Sequence, residues 1–280
     1  MGEFFSRFVP PSARMRASPF GVPVLSGALV GRHAKQLGGP LLEITWRDAP
    51  SLAGVLRAAR HGDALVTVGV QAAARGKSPG AARQVVQDVL GVASDAASEV
   101  PLVLLARAGE DDASGERGRL RQAERFFRDV DAGFTALAIS DRTLPGDVAL
   151  LQELVQPAVE QELGVELELH QTSSTGLLLA HAEDAGIVAS AIRGASLTED
   201  VAPALRVISL GAIPRAVPLV GLRIVIDDAV YGPGSPGLLD SPAADERVEA
   251  RAYLRATRIL NALEAAGSVG RLNDLLADEE

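Results

Sequence analysis

The chain has 280 residues, of which 47% are hydrophobic and 22% charged, and a formal net charge of −9. This length and balance fit one large domain with a substantial core and exclude an intrinsically disordered chain. The acidic excess argues against a broad nucleic-acid-binding face, and the absence of cysteine excludes disulfides, thiolate zinc sites and cysteine nucleophiles.

Arginine supplies nearly all the positive charge. Lys35 and Lys77 are the only lysines. A Schiff-base enzyme needs a desolvated lysine. Lys77, in "AARGKSPG", is the one plausible candidate, and its glycine and serine neighbours point to exposure. The start "MGEFFSRFVPPSARMR" lacks the apolar region of a signal peptide, and no apolar run approaches the roughly 18 residues of a membrane span. The expectation is a cytoplasmic chain without membrane contact.

In chain order, residues 1–21 read as an N-terminal extension and 22–280 as one domain. Strand patterns fall at "LLEITW" (41–46), "ALVTVGV" (64–70), "VPLVLLA" (100–106), "ALAIS" (136–140), "VELEL" (165–169), "IVASAI" (187–192), "LRVISL" (205–210) and "LRIVID" (222–227). Helical patterns lie between them, such as "APSLAGVLRAARHG" and "PGDVALLQELVQPAVEQELG", the second with Gly164 as its C-cap. Strict alternation predicts parallel strands, and eight units predict a closed (β/α)₈ TIM barrel, an α/β fold. A doubly wound open sheet is the rival, disfavoured because no Gly-rich turn follows the first strand. Short segments after strands 5, 6 and 7 predict shortened barrel helices. "YGPGSPGLLDSPAADE" (231–246) reads as a loop, and "RVEARAYLRATRILNALEAAG" as a helix on the barrel's outside.

Chemistry in such a barrel sits at the carboxyl ends of the strands. Those ends carry Thr45 and Arg47, Gln71, Arg107, Ser140 with Asp141 and Arg142, Glu168 with His170, Arg193, Ser209, and Asp227 with Asp228. On strand 5 the period of two puts Glu166, Glu168 and His170 on one face and Val165, Leu167 and Leu169 on the other. Leucines facing the helices place both glutamates inside, where a carboxylate needs a metal or a basic partner. Two readings stand. The favoured one is an internal ion pair with Arg107, Arg142 or Arg193; the other is metal binding or acid–base catalysis. "HQTSSTG" (170–176) reads as a turn rather than a phosphate cradle. Asp227 and Asp228 read as salt-bridge partners rather than magnesium ligands.

Three segments, "VPVLSG" to "VTVGV" (22–70), "GFTALAIS" to "VELEL" (133–169) and "VGLRIVIDDAV" (220–230), together resemble, over roughly residues 22–270, the class II, metal-dependent ketose-bisphosphate aldolases. "GFTALAISDRTLPGDVALLQELVQPAVEQELGVELEL" is similar to that family's GFTSVMIDGSHLPFEEN segment and following VEAELG strand. "VPVLSGALVGRHAKQLGGPLLEITWRDAPSLAGVLRAARHGDALVTVGV" resembles its opening helix, FNVNN strand and next helix, and "VGLRIVIDDAV" resembles GIAKINIDT. The resemblance implies a (β/α)₈ lyase with zinc, often oligomeric. Glu168, Gly211 and Asp227 match the family's pattern.

The departures fall on the chemistry. Where the family has HLDHG, this chain has "LARAG", with Arg107 in place of the catalytic aspartate and Ala108 in place of a zinc-binding histidine. "ISLGAIP" puts Ile208 at another zinc histidine, and "RGASLTED" lacks the histidine of GTSHG. Val225 replaces a substrate-binding asparagine and Ser140 an aspartate. A zinc site of that type needs three nitrogen ligands, and of His33, His61, His170 and His181 only His170 falls at a strand end.

The expected protein is therefore an aldolase-like barrel without metal, cofactor or assignable catalytic residue. It acts as a non-catalytic scaffold or regulatory protein, as a homo-oligomer or with a protein partner. The alternative is a metal-free binder or lyase for a phosphorylated or other anionic sugar-like ligand, held by Arg107, Arg142 and Arg193 with Glu168, Ser209, Gly211 and Asp227.

Overall fold

Apolar β-branched runs that recur between amphipathic helices can bury both faces only as parallel strands wrapped by helices. The computed structural model describes residues 10–76, 78–109, 115–141, 148–170, 175–184, 189–194, 205–209, 221–231, 242–263 and 266–278. Its eight strands are β1 (Leu41–Thr45), β2 (Val66–Val70), β3 (Leu102–Ala106), β4 (Ala136–Ser140), β5 (Gly164–Glu168), β6 (Ala191–Arg193), β7 (Leu205–Ser209) and β8 (Leu222–Val225). They are all parallel and close into a barrel in sequence order, with β8 pairing β1. The open sheet is thereby excluded.

Period-two alternation divides the apolar residues into two cores. One fills the space between strands and helices and takes Ile44, Val66, Val68, Leu104, Ile139, Val165, Leu167 and Ile224. The other lies inside the barrel and takes Leu41, Leu65, Val103, Leu105, Ala136, Ala138, Ala191 and Val207. A register slip of one residue would exchange these sets, so burial on both faces fixes each strand.

The described helices are α1 (Pro11–Ala17), α2 (Gly27–His33), α3 (Ala49–His61), α4 (Ala72–Arg75), α5 (Pro79–Ala97), α6 (Gly115–Ala132), α7 (Val148–Glu160), α8 (Thr175–Asp184), α9 (Asp227–Tyr231), α10 (Pro242–Ala262) and α11 (Ser268–Asp278). Side-chain oxygens start several of them: Asp48 Oδ1 accepts from Ser51 N at 2.8 Å ahead of α3, and Ser78 Oγ accepts from Ala81 N at 3.2 Å ahead of α5. Helix α10 packs along α3, as its apolar spacing predicts. None of the described helices is long and apolar enough to cross a membrane.

The amino end of the barrel is sealed by chain from both termini. Leu25, Leu29, Val30 and Leu37 around α2, and Val269, Leu272 and Leu276 of α11, join the inner core. The chain that follows the predicted outer helix thus contributes a floor. Gly27 N donates to Thr135 O at 2.9 Å, and Gly164 N donates to the same carbonyl at 3.0 Å.

This corrects the reading of Gly164. It is not the C-cap of α7; that helix ends at Glu160, and Glu162 takes the left-handed conformation at φ 57°. Gly164 opens β5 because a Cβ there would lie 2.7 Å from Gly27 Cα, closer than any real side chain tolerates. A residue that looked like a helix stop is a contact between floor and wall. Of the shortened helices, α8 is described, with ten residues. The segments after β6 and β7, and 232–241 of the predicted loop, lie outside the described residues.

Gly27→Leu should accordingly lift α2 off the barrel, since a Cβ at Gly27 already meets Ala136 Cβ at 2.8 Å. A loss of about 1–3 kcal/mol or more in urea denaturation is expected from such overpacking. Unchanged stability would mean that α2 does not seat against β4 and β5.

Candidate functional site

Inside the barrel, above the apolar inner core, six charged side chains meet. Glu43 comes from β1, Glu166 and Glu168 from β5, Arg193 from β6 and Arg223 from β8, and Arg107 follows β3. Arg107 donates through Nε to Glu168 and through Nη1 to Glu43 Oε1 at 3.4 Å. Arg193 Nε donates to Glu166 Oε1 at 2.9 Å, while its Nη2 reaches both oxygens of Glu43 at 2.7 Å. Arg223 pairs with Glu166 through Nη2, and its Nε lies 2.8 Å from Glu43 Oε2. Three carboxylates thus face three guanidiniums, and the set is neutral.

Electrostatics follow from this enclosure. Burial alone would raise the Glu43 carboxyl, but Arg193, Arg223 and Arg107 overcome it and hold the group at about 2, below its ordinary 4.5. Burial likewise works against the Arg193 cation, and Glu166, Glu43 and Glu168 reverse that, raising its pKa above the usual arginine value. Room for the network comes from Gly69 on β2. A Cβ there would stand 3.1 Å from Glu43 Oε1 and 3.5 Å from Arg107 Cδ.

A second buried pair holds the backbone beneath Arg107. The Arg75 guanidinium donates to the carbonyl of Arg107 at 2.7 Å and to that of Val70. Its Nε lies 3.1 Å from Asp129 Oδ2, a residue of α6. Burial lowers Arg75 to about 10 and pushes the Asp129 carboxyl up, each against the attraction of its partner. Arg75 therefore acts as a buried clamp between the ends of β2 and β3.

At the neighbouring strand ends, Asp141 Oδ2 accepts from His170 N at 2.9 Å and its Oδ1 lies 3.0 Å from His170 Nδ1. Ser140 Oγ lies 3.2 Å from the same ring nitrogen. Asp227 belongs to neither group: its Oδ1 accepts from Thr45 N at 2.8 Å, joining the turn after β8 to β1. Arg47 is exposed, with its guanidinium 4.4 Å above the Tyr231 ring, and Tyr231 Oη donates to Thr45 O at 2.8 Å. Burial, then Asp48 and Asp227, raise the pKa of that phenol.

Of the sequence-predicted residues, then, Arg107, Glu168 and Arg193 are brought together. The favoured internal ion pairs form, whereas Asp227, read as a salt-bridge partner, accepts from the Thr45 amide. Ser209 is exposed at the end of β7. Arg142, Gly211 and Lys77 lie outside the described residues. Glu43, Arg223 and Arg75 were missed, although Glu43 in "LLEIT" and Arg223 in "LRIV" stand at inward positions of apolar strands, where a charge is a signal.

A zinc ion of the type the resemblance implies does not fit this donor set. The oxygens of Glu43, Glu166 and Glu168 are turned to guanidinium N–H groups, and Arg107 adds a fixed positive charge where a metal cation would be repelled. His33, His61 and His181 sit on α2, α3 and α8, and His170 spends Nδ1 on Asp141. No group of three or more acid or histidine side chains able to hold a metal is present among the described residues.

Removing one partner should expose the enclosure. Arg107→Met is expected to cost about 3–5 kcal/mol in urea denaturation by stranding Glu168, and adding Glu168→Gln should recover part of it. A loss below roughly 0.5 kcal/mol would show that Arg107 faces solvent. For pH the sign follows from Glu43, whose folded pKa is depressed: its stabilisation is full above about 4.5 and is lost as pH falls towards about 2. A stability profile flat between pH 5 and 2 would contradict the network.

No protein-family model matches the sequence, and no curated protein matches it. Solved structures with the same fold do. The YdjI aldolase from Escherichia coli K12 aligns with 15% identity and a TM-score of 0.59, covering 86% of this chain and 98% of that one. A protein assigned as a fructose-1,6-bisphosphate aldolase in Coccidioides immitis gives 15% identity, a TM-score of 0.56, and coverage of 86% and 96%. Fructose-bisphosphate aldolase from Campylobacter jejuni gives 17%, 0.53, and 87% and 96%. At these identities the likeness concerns the fold: this chain has the closed eight-stranded barrel of those aldolases.

Proposed function

We propose that this protein is an aldolase-like barrel without zinc-dependent aldolase activity, serving as a non-catalytic scaffold or regulatory protein. The observation that carries the reading is the position of Arg107. The resemblance gives that position to a catalytic aspartate, and here a guanidinium stands there, bonded to Glu168 and Glu43. A guanidinium stays protonated at neutral pH and has no lone pair to abstract a proton or bind a cation. Ala108, at the position of a zinc-binding histidine, supports the same conclusion.

The test uses the purified full chain with fructose 1,6-bisphosphate, with and without added zinc. Cleavage at the level of the buffer blank under both conditions is expected, with metal analysis well below one zinc per chain. About one zinc per chain, removable by chelator with loss of cleavage, would overturn the reading.

A further inference from the structure

The six-membered network is neutral in sum but uneven in depth. The carboxylate side chains of Glu43, Glu166 and Glu168 are 0%, 1% and 4% exposed, and Arg223 is 5% exposed. Arg107 and Arg193 are 14% and 15% exposed. The acids are shut in, and the two cations form the lid of the network on the mouth side. Arg107 and Arg193 stand side by side: both donate to Glu43 Oε1, at 3.4 and 2.7 Å, and both approach Glu168 Oε1.

Donor capacity remains on that side. Arg107 uses Nε and Nη1 on carboxylates, and Arg193 uses Nε and Nη2. Arg107 Nη2 and Arg193 Nη1 have no protein partner among the described residues, and neither is a buried orphan, so both reach solvent. Their carboxylate contacts hold the two forks in place before any ligand arrives, which removes most of the ordering cost of binding. Paired, pre-oriented guanidinium N–H groups match the oxygens of a small oxyanion.

We infer that Arg107 Nη2 and Arg193 Nη1 form an oxyanion subsite at the barrel mouth, which takes the phosphate or carboxylate group of a small molecule. The subsite goes beyond the proposed loss of aldolase activity and does not depend on it. A chain that cleaved the bisphosphate with zinc would sink that reading and leave this titration unaffected. Glu168 beneath the two forks limits the affinity, because its charge opposes a second anion.

Calorimetric titration of the full chain with inorganic phosphate tests the subsite, at constant ionic strength against chloride, with methyl phosphate and acetate as separate arms to distinguish phosphate from carboxylate ligands. Saturable binding in the millimolar range or tighter is expected in at least one arm. Arg107→Lys and Arg193→Lys, which keep charge but lose the fork, should each weaken it by about tenfold. Arg47→Ala, at the guanidinium stacked on Tyr231, should leave it unchanged. No saturable heat at ~10 mM of any of the three anions, far above the affinity at which such a site matters, overturns the inference; so does binding that stays within twofold in both lysine variants. If a lysine variant fails to fold, a wild-type crystal soaked in selenate decides, because anomalous density between the two guanidiniums supports the subsite and its absence there overturns it.

Discussion

A carboxylate enclosed in a protein must be met by a positive charge that is enclosed with it, and this barrel encloses three. Desolvating an ion costs several kcal/mol even after relaxation, so each of Glu43, Glu166 and Glu168 depends on guanidiniums delivered by other strands. The partners come from β1, β5, β6 and β8 and from the end of β3, which makes the network a constraint on the whole closure. Sliding any of these strands by one residue would turn its charge towards the helices and leave its partners unpaired. The apolar cores drive the collapse and hold the register of each strand; the ionic layer adds a second penalty against a slip. Replacing the whole layer by well-packed apolar side chains of equal volume would often leave the protein as stable, whereas removing one member leaves its partners uncompensated.

The same layer decides what chemistry the mouth can support. A divalent cation and a set of arginines both neutralise carboxylates, but they differ as reagents. A metal keeps open coordination positions and polarises an oxygen bound there. A guanidinium spends its charge on fixed N–H directions, donates hydrogen bonds and accepts none. Arg107 adds a backbone consequence, since the buried Arg75 grips its carbonyl and that of Val70 while Asp129 holds Arg75 from α6. The position is therefore clamped from below as well as paired from above.

Much of this was legible in the sequence because two periodicities are written into it. The alternation in "VELEL" put Glu166 and Glu168 inside and Leu167 outside, and the need to neutralise them implied an internal ion pair with Arg107, Arg142 or Arg193, of which Arg107 and Arg193 pair with them. Eight strand patterns separated by helical ones gave the closed barrel. What escaped depended on distance across the barrel, which no local pattern reports. Glu43 and Arg223 are single charges within short apolar runs, short of the strand ends where chemistry is expected. Gly164 showed the same ambiguity: a glycine after a helical pattern suggests a cap, and only the approach of Gly27 from more than a hundred residues away explains why a side chain is excluded there. Asp227 lay at the right end of β8 but turned to the Thr45 amide instead of the arginines.

The uneven depth of the network has a simple origin in side-chain length. A glutamate on an inward position is too short to leave the barrel, so its carboxylate stays where the backbone puts it. An arginine following β3 or ending β6 has a longer stem that can lie along the wall while its head turns towards water. Mixed at the same level, the two residue types therefore separate, with acids below and cations above. Arg223, two residues from the end of β8, has less reach and remains buried with the acids. A neutral layer of this composition thus turns two of its cations towards the mouth without any excess of positive charge, in a chain whose net charge is −9.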